Sequence, residues 1–218
     1  MQHPAREDGI ALADTMRGIA ARGLSAGTSG NASLRTTRGF LITPTGVAPD
    51  ALGPDSAVEL ELSGTVLAGH LLPSSEWPMH AAIYAARADA KAIVHCHSRH
   101  ATALACCGLA IPAFHYMVAA AGGDSIRCAP YALFGSAGLA AAAVEALAGR
   151  RACLLGNHGQ ITIGQTPAEA LALAVEVEEL SAQYLLARQA GTPRILDAGE
   201  MGEVLARFGT YGQQRAGA

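Results

Sequence analysis

The sequence predicts an α/β protein, with a mixed, mostly antiparallel sheet covered by helices on both faces. Three observations carry that expectation. Short apolar runs joined by hairpin-type turns alternate along the chain with longer stretches of helical period. Half of the 218 residues are hydrophobic and 15% are charged, enough apolar side chain for a substantial core. No internal repeat, low-complexity tract or linker interrupts the pattern, which points to a single domain over residues 1–218.

Taken in order, residues 7–22 read as a helix, with Ile10, Ala13 and Ile19 apolar and charges between them. "GNASLRTTRGFLITPTG" reads as two short strands around Thr37–Gly39, closed by a turn at Pro44–Gly46. "AVELELSGTVLAG" is a second hairpin that turns at Ser63-Gly64. "SSEWPMHAAIYAARADA" opens on a serine cap, tolerates Pro78 in its first turn and continues as a helix. Residues 92–97 form a strand, and a helix follows from Ser98 to Cys107.

Further along, "DSIRCAPY" is a strand and "GSAGLAAAAVEALAGR" an Ala-rich helix stopped by Gly149. "ACLLGNHGQITIG" reads strand, turn, strand. In "TPAEALALAVEVEELSAQYLLARQAG", Thr166 caps a helix, Pro167 takes its first position and Glu169 completes a capping box. A short helix near 199–208 leads to the terminal "FGTYG".

Charge and cysteine usage exclude several function classes. A net charge of −3 and a pI near 6.2 leave no concentrated basic face for nucleic acid; Arg35–Arg38 and Arg150-Arg151 are too small for one. The five cysteines (96, 106, 107, 128, 153) are an odd set without a CxxC pair, the pattern of reduced thiols in the cytoplasm. No uncharged apolar stretch reaches 18 residues, so no membrane span is expected despite a mean hydropathy of +0.25. "MQHPAREDGIALADTM" lacks the apolar core of a signal peptide.

The chemistry begins at "AIVHCHSRHATAL". Successive side chains of a strand alternate in direction, so His95 and His97 share a face while Cys96 points away. Two readings stand at this point: an interior hydrogen-bonded pair, or two ligands of one metal, since neutral imidazole is the commonest metal ligand. A third ligand has one placed candidate, His158 in "LLGNHGQITIG", where a Gly-flanked turn can aim a side chain into a pocket. Three histidines with an open fourth position would suit a catalytic rather than a structural zinc, although spacing alone leaves His158 as readily an ordinary turn residue. "AGTSGNASLR", "TPTG" and Ser74-Ser75 offer backbone amides and hydroxyls to an anion, or are plain turns and caps. Glu76 is either a helix-dipole carboxylate or a participant in chemistry.

Eight motifs in one order give the chain a family likeness: "TSGNASLR", "ITPTG", "LPSSEWPMH", "AIVHCHSRHATA", "IPAFHYMVAAAGG", "CAPYALFG", "GNHGQ" and the terminal "TYG". From about residue 10 to 212 the sequence resembles the class II aldolase/adducin family, most closely its L-fuculose-1-phosphate aldolase branch. The resemblance implies a three-layer α/β/α sandwich assembled as a C4 homotetramer. It makes His95, His97 and His158 metal ligands, with Zn2+ expected and Mn2+ or Co2+ as substitutes, and Glu76 a catalytic acid/base that also ligates the empty metal. It assigns Gly30, Asn31, Thr45, Gly46, Ser74 and Ser75 to a phosphate cradle. Tyr116 matches a tyrosine that reaches a neighbouring subunit's site and handles a hydroxyl proton; Phe134, Phe208 and Tyr211 match aromatics at the aldehyde end.

The implied reaction is reversible cleavage of a deoxyketose 1-phosphate into dihydroxyacetone phosphate and a short aldehyde, the partner being a small sugar phosphate rather than nucleic acid or membrane. L-fuculose 1-phosphate, a 5-deoxypentulose 1-phosphate and 5-methylthioribulose 1-phosphate share the phosphate and carbonyl halves, so the motifs do not separate them. A methylthioribulose-1-phosphate dehydratase, a pentulose-phosphate 4-epimerase and a non-catalytic adducin-like binding protein are the alternatives. The epimerase would need a further acid near 118–121, where the chain reads "VAAA". Three histidines together with Glu76 weigh against loss of catalysis.

Overall fold

The computed structural model describes residues 4–208. Its strands are β1 (Asn31–Arg35), β2 (Phe40–Ile42), β3 (Val58–Leu60), β4 (Val66–Ala68), β5 (Ala92–Cys96), β6 (Ile111–Pro112), β7 (Ser125–Ala129), β8 (Ala152–Leu155) and β9 (Gly159–Gly164). They form one nine-stranded sheet in the order β4-β3-β2-β1-β5-β9-β8-β7-β6. Every neighbouring pair is antiparallel except β7 and β8, so the sheet is mixed and mostly antiparallel, as expected. The helices are α1 (Pro4–Ala21), α2 (Trp77–Ala86), α3 (Arg99–Cys106), α4 (Ala137–Ala146), α5 (Pro167–Ala190) and α6 (Ala198–Phe208), with short 3-10 turns at Pro49–Ala51 and Tyr116–Ala121.

The alternation of side chains along the sheet sorts the helices into two outer layers. From β5, Ile93 packs into a cluster with Met79, Ile83 and Tyr84 of α2 and Leu139 and Ala143 of α4. Ala92, Val94 and Cys96 face the other way, against Leu12, Met16 and Ile19 of α1 and Ala170 and Ala174 of α5. Leu104 of α3 joins Leu154 and the Val177–Leu180 turn of α5 in a third cluster on that side. Helix on sheet on helix is the three-layer arrangement that both the hairpins and the resemblance implied. No helix among the described residues is long and apolar enough to cross a membrane.

The strand that carries the paired histidines lies in the middle of the sheet. β5 is the fifth of nine strands, and its His95 pairs across to Asn31 of β1 on one side and Ile161 of β9 on the other. The two hairpins, the strand–turn–strand at 152–164 and all six helices lie where the sequence pattern placed them, within a few residues. The two-residue β6 and the two 3-10 turns were not anticipated, because segments that short carry no readable period.

Two caps differ from expectation. α2 begins at Trp77, and its N-cap is Glu76, whose side chain makes no capping bond. The serine cap fails because Ser74 stands two residues too early. Its hydroxyl takes the Glu76 N–H at 3.3 Å and its carbonyl takes the Trp77 N–H at 3.1 Å, which leaves the Glu76 carboxylate pointing elsewhere. In α5, Thr166 accepts the Glu169 N–H at 3.1 Å as expected, but the Glu169 carboxylate reaches the N–H of Gln165, not that of Thr166.

The start of α3 is capped from across the core. Ser98 is its N-cap without a side-chain capping bond; Glu178 of α5 instead accepts the N–H groups of His100 and Ala101 at 3.0 Å and the imidazole Nδ1 of His100 at 2.8 Å. Burial pushes the Glu178 carboxyl up, but these donors and Ser98 outweigh it and hold it below its ordinary range. A carboxylate with a depressed pKa stabilises the fold above its unfolded value and loses that contribution as pH falls through the folded one. Glu178→Ala should therefore lower stability by about 1.5–3 kcal/mol near neutral pH. Denaturant titrations should show the gap to wild type narrowing below about pH 4.3. A gap independent of pH would mean that the carboxylate's charge is not what holds α3.

Candidate active site

Three imidazoles and a carboxylate converge at the end of β5. His95 is the penultimate residue of that strand and His97 follows it directly, both on the α2 side, while Cys96 is buried on the α1/α5 side. His158 arrives from the β8–β9 turn. There Asn157 adopts a left-handed φ of 52°, a conformation that asparagine tolerates better than most residues. Glu76 arrives from the first residue before α2, freed from capping. The ligating atoms of Glu76, His95, His97 and His158 all lie within 4.8 Å of one another.

Two glycines let the backbones close around the pair. A side chain at Gly30, whose φ is +85°, would sit 2.9 Å from the His95 carbonyl oxygen. One at Gly159 would sit 2.5 Å from the Cys96 carbonyl oxygen and 2.9 Å from Cδ2 of His97. Both contacts are with backbone or an oriented ring, so neither neighbour can give way cheaply.

The polar geometry fits a divalent cation. His95 Nδ1 lies 2.8 Å from the carbonyl oxygen of Gln160. That oxygen only accepts, so Nδ1 carries the proton and Nε2 of the neutral ring presents its lone pair to the cluster. His95 Nε2 is 2.9 Å from His97 Nε2 and 3.1 Å from Glu76 Oε2; His158 Nε2 is 3.3 Å from Glu76 Oε1. Oε1 is buried, and despite that proximity it receives no hydrogen bond. Opposed lone pairs at such distances repel unless a proton or a cation lies between them.

Charge follows the same logic. Burial pushes the Glu76 carboxyl up, yet the His95 and His158 imidazoles and the Asn31 amide overcome this and hold it far below the carboxylate range. Burial pulls His95 down, and the Glu76 carboxylate more than restores it, to above its ordinary value. His97 and His158 are lowered to about 4, by burial first and by His95 next, and so are neutral at physiological pH. His97 and His158 are thus ready as ligands, and a cation would displace any proton that His95 takes up beside Glu76.

The segments proposed as a phosphate cradle meet beside this cluster. Ala32 and Thr43 exchange two hydrogen bonds, from the Ala32 N–H to Thr43 Oγ1 at 3.1 Å and from the Thr43 N–H to the Ala32 carbonyl at 3.0 Å. The Ser74 N–H reaches the Thr43 carbonyl at 3.0 Å, and the Thr45 N–H reaches that of Leu72 at 3.1 Å. Gly30-Asn31, Thr45-Gly46 and Ser74-Ser75 are therefore brought to one corner. Thr45, Gly46 and Ser75 are exposed there, whereas Ser74 is buried with its hydroxyl against the Glu76 amide.

A cleft of about 320 Å³ opens from the cluster, with Glu76, His97 and His158 at its floor and Ser75 and Phe134 at its rim. Tyr131 and Asn157 also line it; neither is singled out by the sequence, although both stand inside motifs that are, one in "CAPYALFG" and one in "GNHGQ". Tyr116, about half exposed, and Phe208, packed with Ala113, Ala119 and Met201, are not among its lining residues. Tyr211 lies outside the described residues. A larger cleft of about 650 Å³ between α1 and the start of α5 holds no group of convergent metal-ligating side chains among the described residues.

A family model described as Class II Aldolase and Adducin N-terminal domain matches residues 10–185. The chain is 49% identical over 201 residues to a 5-methylthioribulose-1-phosphate/5-deoxyribulose-1-phosphate aldolase of Rhodospirillum rubrum, covering 92% of this chain and 90% of the relative. It is 44% identical over 202 residues to the L-fuculose phosphate aldolase of Escherichia coli, covering 92% and 94%. Its fold superimposes on a solved L-fuculose 1-phosphate aldolase with a TM-score of 0.91 at 36% identity, covering 96% of this chain and 98% of that one.

The geometry predicts about one divalent ion per chain. Replacing His95, His97 or His158 by Ala should each weaken binding by more than the ~10–100-fold typical of outer-shell partners. Elemental analysis and competition with a chelator measure this. A fully loaded His158→Ala protein would remove that residue from the centre.

Proposed function

The chain belongs to the class II aldolase and adducin family and is a metal-dependent lyase of the aldolase type, and we propose that it uses zinc to cleave a deoxyketose 1-phosphate into dihydroxyacetone phosphate and a short aldehyde. The observation that carries this reading is the convergence of His95, His97, His158 and Glu76, the last three of them at the floor of a cleft bordered by the corner where residues 30–31, 43–46 and 74–75 meet. His95, His97 and His158 would hold a divalent cation, which would supply Lewis acidity to the substrate carbonyl, an effect typically worth several kcal/mol.

The remaining work belongs to side chains. Phosphate held in the 30–31, 45–46 and 74–75 corner fixes the reacting carbons relative to Glu76, which turns the encounter into an oriented one. Carbon–carbon cleavage leaves negative charge on the dihydroxyacetone phosphate half, and a proton must then be delivered to its C3. We assign that proton transfer to Glu76, the carboxylate that lines the cleft. Its Oε1 accepts no hydrogen bond and lies 3.3 Å from His158 Nε2, a ring at the floor of the cleft. The hydroxyl that becomes the aldehyde must lose its proton, and we assign that step to Tyr116.

Tyr116 stands apart from the cleft of its own chain, on the 3-10 turn that packs against α6, whose last residue is Phe208. We infer that both residues, with Tyr211, serve the site of a neighbouring subunit in a C4 homotetramer. Phe134 and the exposed Tyr131 give the aldehyde end an apolar rim that suits a methyl or methylthio tail. Residues 1–218 act as one domain on this reading, and the unpaired thiols of Cys96, Cys106, Cys107, Cys128 and Cys153 suit the cytoplasm.

Two measurements test the proposal. Zinc-loaded protein offered L-fuculose 1-phosphate, 5-deoxyribulose 1-phosphate and 5-methylthioribulose 1-phosphate should release dihydroxyacetone phosphate, trapped by reduction. A product that keeps all the carbons would make the protein a dehydratase or an epimerase, and no turnover at all would favour a binding role. Second, Glu76→Gln should slow solvent exchange of the C3 proton of dihydroxyacetone phosphate by about 10²–10⁴-fold, the usual cost of losing a general acid/base. Its metal content should stay substantial through the three histidines. Wild-type exchange in a loaded Glu76→Gln protein would assign the base elsewhere.

A further inference from the structure

Behind Glu76 runs a line of buried polar groups to which the proposed chemistry gives no task. On α2, Glu76, His80 and Tyr84 recur every four residues and so lie on one face. On β1, Asn31, Ser33 and Arg35 recur every two and face α2. The helix and strand faces interlock. Asn31 Nδ2 is 3.0 Å from Glu76 Oε2, His80 Nε2 is 2.6 Å from Asn31 Oδ1, Ser33 Oγ is 2.7 Å from His80 Nδ1, and Tyr84 Oη is 2.8 Å from Ser33 Oγ. His80 and Ser33 are fully buried, and Tyr84, Asn31 and Glu76 nearly so.

The direction of every hydrogen bond in this line follows from its one charged end. A carboxylate only accepts, so the Asn31 amide must present its N–H to Glu76 and its oxygen to His80. That oxygen needs a donor, and His80 Nε2 is the atom in place. A neutral imidazole has one N–H, so His80 Nδ1 is an acceptor and the Ser33 hydroxyl must donate to it. Ser33 Oγ then accepts from Tyr84, whose only other acceptor within reach, the Lys91 carbonyl, is 3.5 Å away. Reversing any one member places two lone pairs face to face in a buried site, where an unpaired polar group is most costly.

We propose that His80 is a positioning residue: as the Nε2–H tautomer, selected by the Ser33 and Tyr84 hydroxyls, it locks the Asn31 amide so that its N–H is aimed at Glu76 Oε2. The far end of the line is itself fixed. The Arg35 guanidinium lies 4.6 Å from the Tyr84 ring centroid, and its Nη2 donates to the Tyr84 carbonyl at 2.6 Å. Burial, with the nearby His95 adding to it, keeps His80 down at about 3, so the ring stays neutral. With Oε2 held by the Asn31 amide, the other oxygen of Glu76, which accepts no hydrogen bond, is the one left to carry a proton to or from a substrate.

The role in catalysis rests on the aldolase reading, but the tautomer does not, and the test separates them. In zinc-loaded protein labelled with ¹⁵N-histidine, the His80 resonances are identified by their loss in His80→Gln. They should show a protonated Nε2 and an unprotonated Nδ1, unchanged across neutral pH. An Nδ1–H or doubly protonated ring overturns the proposal whatever the protein catalyses. On a turned-over ketose 1-phosphate, His80→Leu should lower kcat about 10–100-fold, the range seen for outer-shell partners, with KM nearly unchanged. His80→Gln, whose amide N–H takes the place of Nε2–H, should recover most of that loss. Ser33→Ala removes only a hydroxyl and remains informative if the Leu variant fails to fold; it should weaken the tautomer preference and lower kcat several-fold. Equal losses in the Leu and Gln variants, a change in KM in place of kcat, or a Ser33→Ala protein identical to wild type would each overturn it. If no ketose 1-phosphate is cleaved, the aldolase reading fails while the resonance pattern still decides the relay.

Discussion

Three imidazole lone pairs aimed at one point repel one another, and much of this structure exists to hold them there. His95, His97 and His158 stand edge to face with ring centroids 4.7–4.9 Å apart, an ordinary ring spacing; what is unfavourable is that their ring nitrogens point at one another and at Glu76. The cost is met by the sheet. His95 sits on its fifth strand, paired on both sides, so its Cα cannot retreat without breaking ladder hydrogen bonds. Its Nδ1 is tied to the Gln160 carbonyl of the next strand, so the ring cannot turn. Lone pairs held facing one another in this way gain from a cation placed between them, which is the energetic basis for expecting metal binding here.

The same strand also separates stability from chemistry. One face of β5 carries Ile93 and His95 and continues to His97 just beyond the strand; the other carries Val94 and Cys96, which are fully buried against α1 and α5. Alternation gives the two tasks to different residues at no cost in backbone. At the strand's end the arrangement continues: Gln160 lends its carbonyl to His95 and its side-chain amide to Ser98 Oγ and the Ala174 carbonyl. Ser98 opens α3, whose first amides are held by Glu178. The helix that succeeds the histidines is therefore anchored to α5, and the end of β5 beside the histidine cluster is braced from the α1/α5 face of the sheet.

How much of this is readable from the amino acids depends on the range of the signal. His95 and His97 are legible because strand alternation acts over two residues, and the hairpins and α5 because turn and cap chemistry is local. His158 is legible as a candidate, but its approach to the pair needs the β5–β9 register, which no local pattern encodes. The serine cap of α2 misleads for an instructive reason. Ser74-Ser75 before a helix usually caps it, yet here the backbone starts the helix at Trp77 and releases the side chain of Glu76 into the cluster. Tyr131 and Asn157 stand within recognised motifs, but their part in the cleft comes from where the 130–135 and 155–159 turns fold, not from their residue type. Family resemblance supplies the roles of Glu76 and Asn31; periodicity alone leaves both as ordinary turn and helix-start residues.

Asn31 shows why a residue's role depends on what its polar atoms already face. Assigned to a phosphate corner by resemblance, it is almost fully buried, with its amide oxygen taken by His80 and one amide hydrogen by Glu76. An amide nitrogen has a second hydrogen, so orientation of Glu76 and contact with an anion are compatible, provided the amide cannot flip. A flip would turn the oxygen toward both the carboxylate and any bound phosphate, a double repulsion in a water-poor site. The His80 donor is what makes that flip unfavourable before substrate arrives. The periodicities of four on α2 and two on β1 that build the relay are both visible in the sequence. They become meaningful only when the sheet register sets Asn31 opposite His95 and so places the head of the relay beside the histidine cluster. Preorganisation of this kind spares the reaction the reorientation of a buried dipole as charge develops, which is a physical reason for a protein to bury five polar side chains between a strand and a helix that could otherwise have packed as plain hydrocarbon.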